Sequence, residues 1–203
     1  DPYTISPYHL LDYLQDVDQM KNKLESLDIE SRLIDIPILY DDDLSKQISY
    51  QYAEFHEQGD LSNFEYVMKI CGLPTKEALI KKHSSPVYFV TAMGFKPGLA
   101  WTYPVVDSIA DIIHVPKYKS PRPYTPVRSI GLGGAFSVVY PSDSPGSYQL
   151  IARSAVPIYD INKRLTIFKD SFFLANPGDF WKYRPISLAE YKNIREQVKR
   201  GIY

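Results

Sequence analysis

The sequence predicts an α+β fold, with helices in the first third, a strand-rich middle and a single closing helix. Three observations predict it. Leu10, Leu14, Val17, Leu24 and Leu27 recur at spacings that fit one helical face. From Val87 onward, short β-rich runs are separated by Gly and Pro in almost every gap, the pattern of a compact barrel or sandwich. Ser187-Leu188-Ala189-Glu190 then reads as a capping box that opens a last helix.

The elements follow in order. Ser6-Pro7 supplies an N-cap and a proline at the first helical position, so an amphipathic helix is expected over 7–28. Residues 32–40 alternate enough for a strand, which Pro37 places near an edge or a bulge. Asp41-Asp42-Asp43 ends it. Calcium loops need spaced ligands and a glycine turn, so these carboxylates read as a solvated turn that also serves the next helix N-terminus. Helices are expected over 44–58, over 63–71 with Gly72 as a left-handed stop, and over 76–82 behind Thr75. Strands are expected at 87–93, 136–140, 149–153, 166–168, 172–174 and 180–183, and the last helix runs to about Arg200 with Gly201 at its stop.

Composition narrows the function. The 203 residues carry 24 acidic and 23 basic side chains, a net charge of -1, so the one-sided basic surface of a nucleic-acid or anionic-membrane binder is missing. With 44% hydrophobic and 23% charged residues the chain is an ordinary folded protein. Its longest nearly uncharged stretch, 86–95, falls far short of the roughly 20 residues that span a bilayer. Cys71, the single cysteine, cannot form an internal disulfide and reads as helix packing; with no zinc spacing either, a reducing cytoplasm is the expected compartment. The start at Asp1 without methionine is expected of a chain that was cut, processed or partly recorded.

Several segments have the residue types of a site. Gly94-Phe95-Lys96-Pro97-Gly98 follows a strand, and its glycines allow a tight turn whose N–H groups point at an anion, although it lacks P-loop or dinucleotide spacing. Gly131-Leu132-Gly133-Gly134 marks a barrel corner or a close backbone approach. Pro141-Ser142-Asp143-Ser144-Pro145-Gly146 reads as a rigid loop, and Ser144 lies in no nucleophile elbow. His83, beside Lys81 and Lys82, suits the negative end of a helix dipole, whereas His9, His56 and His114 read as surface or packing residues. In 117–124 cations and aromatics mix, and Arg122 is expected to turn toward a carboxylate on the surface.

The order of these segments resembles a known family. His83-Ser84-Ser85-Pro86, the run from Met93 to Trp101, Val115-Pro116, Pro121-Arg122, Gly133-Gly134, Tyr140-Pro141, Ser144-Pro145-Gly146, Leu150-Ile151-Ala152-Arg153, Pro177-Gly178-Asp179 and Arg184-Pro185-Ile186 are similar to the KipI family. That family includes the B-type subunit of ATP-dependent 5-oxoprolinase, proteins called allophanate hydrolase subunit 1, and part of the carboxyltransferase domain of urea carboxylase. The resemblance covers about residues 30–190. It implies a cyclophilin-like β-barrel with a C-terminal helix over 85–203, a helical connection over 41–84, and the remainder of a small α/β N-terminal domain over 1–40. It also implies a larger homologous partner, like the C-type subunit of 5-oxoprolinase or allophanate hydrolase subunit 2, and ATP with magnesium used by the assembled complex, with no cofactor held by this chain. Carried over by position, the groove residues are His83, Gly94, Phe95, Pro97, Gly98, Arg122, Tyr140, Ser144, Gly146 and Arg153. Three features depart from the family: Phe136-Ser137-Val138-Val139 precedes Tyr140 where the family commonly has Gln-Thr-Gly-Ile, Tyr124 stands in place of an arginine, and residues 41–62 are longer than the family's connection. Three functions follow: a subunit of an ATP-dependent amidohydrolase, a regulator of a sensor histidine kinase, or half of a biotin-dependent carboxyltransferase.

Overall fold

The structure is a computed structural model that describes residues 6–21 and 30–203. It divides into two units, 1–30 and 31–203. The first contributes α1 (Pro7–Lys21), which begins at the expected proline. Leu24, Leu27 and the rest of the expected helix lie outside the described residues, as does Asp1-Pro2.

The second unit begins with β1 (Leu33–Tyr40), α2 (Asp43–Gln51), α3 (Asn63–Ile70) and α4 (Lys76–Ser84). Next come β2 (Val87–Met93), β3 (Ala100–Val105), β4 (Arg122–Thr125), β5 (Ser129–Gly133) and β6 (Phe136–Val139). β7 (Ser144–Gly146), β8 (Gln149–Ser154), β9 (Phe180–Pro185) and α5 (Leu188–Arg200) complete it. Seven of the described strands close into a barrel in the order β1-β8-β5-β6-β3-β2-β9, while β4 and β7 form a separate ribbon. The fold is therefore α+β around a closed barrel, as the sequence predicts.

The boundary expected at residue 40 does not match the strand pairing. β1 is a barrel stave, parallel to β9 and antiparallel to β8. Pro37 sits at no bulge but at a local edge, where β1 is paired with β9 and its pairing with β8 stops. The β1–β8 register begins at Ile38, and Pro37 offers only its carbonyl beyond it, accepting from Ala155 N at 2.9 Å. Its missing N–H falls where the ladder has ended, which is how a closed sheet tolerates proline.

Local chemistry accounts for the helices. Asp42 caps α2 by accepting from Ser45 N, and Asp41 pairs with Lys46 and Lys76. α2 ends at Gln51 and a 3-10 turn, Ala53–Phe55, replaces the rest of the expected 44–58 helix. Ser62 and Glu65 form a complete capping box on α3, and Gly72 adopts φ 62 just beyond it. On α5, Ser187 accepts from Glu190 N, but the Glu190 carboxylate turns to Arg184 at 2.8 Å, so the second half of that expected box is not made. Gly201 ends α5 with φ 70.

Two expected strands are something else. Thr166–Phe168 is a 3-10 turn: Phe168 N bonds to Leu165 O, which drives Phe168 into the core while Ile167 stays outside. Residues 172–174 contribute a single bridge, Tyr159 to Phe173. The core lies inside the barrel, where Ile36, Ile38, Val90, Ile130, Trp181 and Tyr183 are fully buried, each worth roughly 1.5–3 kcal/mol of apolar burial. A second cluster, with Ile48, Leu99, Val138, Tyr140, Tyr148 and Leu150, forms on the other face of the wall, because Val138 points opposite to Ser137 and Val139 along β6.

Candidate functional site

That second cluster opens into a cavity of about 310 Å³. Its walls come from three places. Leu99 lies just before β3 and Trp101 within it, Val138 and Tyr140 belong to β6 and its end, and Gly146 and Tyr148 to the segment from β7 into β8. Phe95 and Lys117 stand at its edge. Aromatic faces dominate: Trp101 meets Phe136 at 5.5 Å and Tyr148 at 5.9 Å, both edge-on, and the Lys117 ammonium lies 6.0 Å from the Tyr148 ring centroid.

Glycine makes the walls possible. A Cβ at Gly133 would stand 2.5 Å from the Tyr148 ring, and one at Gly146 would stand 2.5 Å from the Tyr140 hydroxyl and 2.7 Å from Thr125 Oγ1. The close approach expected of the Gly131–Gly134 cluster is thus the seat of Tyr148.

The 94–98 turn closes on itself, with Gly94 N bonded to Leu99 O and Leu99 N to Lys96 O. Gly98 has φ 84, and so does a bulky residue have a positive value: Phe95 sits at φ 71 with its ring 63% exposed. Such a backbone is strained for phenylalanine. Lys96 Nζ donates to Asp143 O across the mouth. Gly94, Phe95, Pro97 and Gly98 also line a shallower trough of about 460 Å³ on the other side of the turn, with Phe173 and Asn176 opposite.

Two expected groove residues are sealed away. His83 is 0% exposed: it reaches from α4 into the barrel, where Nδ1 lies 2.6 Å from the Tyr40 hydroxyl and Nε2 3.0 Å from Ser137 Oγ. Burial lowers its pKa to about 3, so it is neutral, one ring nitrogen donating and the other accepting. It does not serve the helix dipole as a cation. Ser137, His83 and Tyr40 share the order of a nucleophile relay, but each is buried and none lines a cavity described above.

Arg122 is likewise 0% exposed and faces no carboxylate, contrary to expectation. Nε donates to Thr125 Oγ1 at 2.9 Å, Nη1 donates to Tyr148 O at 2.7 Å, and the guanidinium lies 4.9 Å from the Tyr118 ring centroid. Tyr118 in turn stacks on His56 at 4.6 Å, and His56 meets Gln149 Nε2 at 3.0 Å. The 117–124 stretch is therefore stitched inward by two side chains rather than laid on the surface. Ser144, in β7, is buried with its Oγ unpartnered, and Arg153 is half-buried with Nη2 donating to Val127 O at 3.4 Å.

Of the ten residues singled out in sequence, Phe95, Tyr140 and Gly146 line the cavity, and Gly94, Pro97 and Gly98 border the trough. Trp101, Tyr148 and Lys117 were missed; Trp101 and Tyr148 are legible only as aromatics that face glycines across the fold. Cys71 sits at the end of α3, half-buried, with its thiol pushed up by burial, which fits packing. The cavity lining offers one lysine and no carboxylate, and the described residues contain no group of three His, Cys, Asp or Glu able to hold a metal. These residues do not fit magnesium or a triphosphate, and no nucleotide step is assigned to them. No described helix is long and apolar enough to cross a membrane.

Comparison with known proteins gives consistent matches. Residues 1–168 match the family model described as carboxyltransferase domain, subdomain C and D. The chain is 30% identical over 150 residues to the 5-oxoprolinase B-type subunit of Haemophilus influenzae, covering 74% of this chain and 61% of that protein. It is 29% identical over 175 residues to the 5-oxoprolinase B-type subunit of Escherichia coli O157:H7, covering 86% and 68%. The chain thus spans 61% of the first relative's length. A urea amidolyase of Saccharomyces cerevisiae is 33% identical over 87 residues, covering 43% of this chain and 5% of that protein. Among solved structures, the urea amidolyase of Kluyveromyces lactis superposes with a TM-score of 0.78 at 20% identity, covering 100% of this chain and 12% of that one. A conserved protein from Pyrococcus horikoshii superposes with a TM-score of 0.59 at 25% identity, covering 94% and 74%.

Proposed function

This chain belongs to the carboxyltransferase domain, subdomain C and D, family, and from that premise we propose that it is one subunit of a multi-subunit, ATP-dependent amidohydrolase of the 5-oxoprolinase type. The observation that carries the proposal is the identity to the B-type subunits of 5-oxoprolinase over most of the chain. The cavity supports it: a compact, aromatic-walled space of about 310 Å³ suits a small ring bearing a carbonyl, and the Lys117 ammonium at the edge suits a carboxylate. In this reading ATP and magnesium are handled by a partner, a larger homologous subunit, with which a lining of one lysine and no carboxylate is consistent. The setting is cytoplasmic.

Native mass spectrometry of the protein purified from its own cells tests the subunit assignment. Co-purification with a larger carboxyltransferase-like chain is expected; a biotinylated partner would move the assignment to a carboxyltransferase of the urea carboxylase kind, which the identity to a urea amidolyase supports over 87 residues. Association with a sensor kinase alone would make the chain a regulator and overturn the enzymatic reading.

A further inference from the structure

Lys117 is the one lysine, arginine, aspartate or glutamate in the lining of the cavity. Among the described residues its side chain has neither a hydrogen bond nor an ion pair, and its ammonium lies 6.0 Å from the Tyr148 ring centroid. Other lysines of this region are committed elsewhere. Lys119 is paired with Glu57, and Lys96 donates to Asp143 O at the mouth. The chain on both sides of Lys117 is pinned. Val115 exchanges both backbone hydrogen bonds with Gly134, at 3.1 and 2.8 Å, Pro116 O accepts from Gln149 Nε2 at 2.8 Å, and Tyr118 N donates to Ser147 O at 2.7 Å. Tyr148 is seated by the same framework, since a Cβ at Gly131 or Gly133 would stand 2.8 or 2.5 Å from its side chain. The backbone that carries the cation and the aromatic face beside it are thus both fixed in advance. A ligand is spared part of the cost of ordering them.

Leu99, Trp101, Val138 and Tyr148 give the cavity an apolar interior, and the charge stands only at its edge. An apolar body therefore gains by entering. A carboxylate on that body gains by stopping beside the lysine, where part of the water that screens such a pair in bulk is displaced. A lining without a carboxylate repels no anion, while one ammonium cannot neutralise a polyphosphate, so charge complementarity selects a monoanion. At roughly 30 Å³ for each water-sized atom, about 310 Å³ takes a molecule of about ten non-hydrogen atoms, and 5-oxoproline is of that size. We propose that this chain, without a partner, binds a compact cyclic monocarboxylate with its ring against Trp101 and Tyr148 and its carboxylate on Lys117. Lys117 is then the residue that selects the acid over the corresponding amide. Naming 5-oxoproline as that acid rests on the amidohydrolase reading; the requirement for a single negative charge does not.

The test uses the full chain alone and two probe pairs, 5-oxoproline with its carboxamide and cyclopentanecarboxylate with its carboxamide. Binding is read from the indole N–H resonance of Trp101, with the fully buried Trp181 as internal reference. Both acids should bind about fivefold or more tightly than their amides. Lys117→Met should bring acid and amide to the same affinity, and Lys117→Arg should restore the preference. Because Lys117 is exposed, the methionine variant should fold like the wild type. An acid preference that survives Lys117→Met, equal binding of acid and amide by the wild type, or a Trp101 resonance that neither acid moves would each overturn the proposal. In the reconstituted complex, Lys117→Met should raise KM for 5-oxoproline about fivefold or more with kcat changed about twofold or less. Turnover of 5-oxoproline with an unchanged KM would overturn the proposal and leave the amidohydrolase reading standing. If cyclopentanecarboxylate binds through Lys117 while 5-oxoproline neither binds nor drives turnover, the amidohydrolase reading fails and the charge selection stands.

Discussion

Lowering the pH below neutrality should destabilise this protein by more than its carboxylates account for, because of one buried histidine. His83 is fully buried, and its pKa falls from an ordinary 6.5 to about 3 because the charged form cannot be solvated inside the barrel. Above the ordinary value neither the folded nor the unfolded chain binds a proton there, and stability does not change. Between the two values the unfolded chain binds the proton and the folded chain does not, so stability falls as the pH falls; below about 3 both bind it and the slope ends. One proton is worth about 1.36 kcal/mol per pH unit, so two units of acidification below the ordinary value remove about 3 kcal/mol and the whole interval about 5. That is a large part of the roughly 5–15 kcal/mol that holds a typical domain folded. Urea unfolding measured at half-unit steps from about pH 7.5 to 4.5 in the wild type and in His83→Gln should show the difference. Glutamine keeps a donor and an acceptor for the Tyr40 hydroxyl and Ser137 Oγ but carries no proton to gain. Carboxylates contribute equally to both proteins and cancel. Parallel stability curves for the two, or a His83 ring resonance titrating near its ordinary value, would refute the reasoning.

Three further outcomes follow from the cavity and its supports. Gly146→Ala places a methyl 2.5 Å from the Tyr140 hydroxyl and 2.7 Å from Thr125 Oγ1, both buried, and should cost about 1–3 kcal/mol in a urea melt; an unchanged midpoint would mean that the ribbon is looser than it looks. Phe95→Gly relieves a φ of 71 that costs a side-chain-bearing residue about 1–2 kcal/mol, against about 0.5–1 kcal/mol of added chain entropy. Because the ring is mostly exposed, thermal stability should hold or rise slightly while affinity for 5-oxoproline in the complex falls, and a clear drop in melting temperature would contradict this. Asp179→Ala strips a buried carboxylate that accepts from Arg32 Nε at 3.0 Å and Asn176 N at 2.7 Å; because Arg32 is itself 43% exposed and can be rehydrated, the loss should be about 1–2 kcal/mol by calorimetry, and an unchanged stability would show the anchor to be idle.

Local signals were legible where local chemistry decides. The alternation in β2 and β9, the Thr75 and Ser187 caps and the glycines at 72 and 201 all mark elements that the structure contains. Partners distant in sequence were not. β1 joins the barrel through β9, more than 140 positions away, and although Pro37 signals an unpaired N–H, nothing near it names the strand that it meets. β4 and β7 are only four and three residues long, too short for periodicity to show, yet they position Arg122 and Gly146. His83 and Arg122 read as surface cations because sequence shows their charge and not what encloses them. Tyr40, Tyr88 and Tyr183 around His83, and Tyr118 beneath Arg122, supply that enclosure. The cavity was legible as its turn and its tyrosine, while Trp101, Tyr148 and Lys117 become neighbours only through tertiary packing.

Whether this chain serves a 5-oxoprolinase is measured most directly by ADP release from the complex reconstituted from this protein and its native partner subunits, with and without 5-oxoproline. ATP hydrolysis should require 5-oxoproline and stop when this chain is left out. ATP hydrolysis by the partners that is indifferent to 5-oxoproline, or turnover that continues undiminished without this chain, would contradict the assignment.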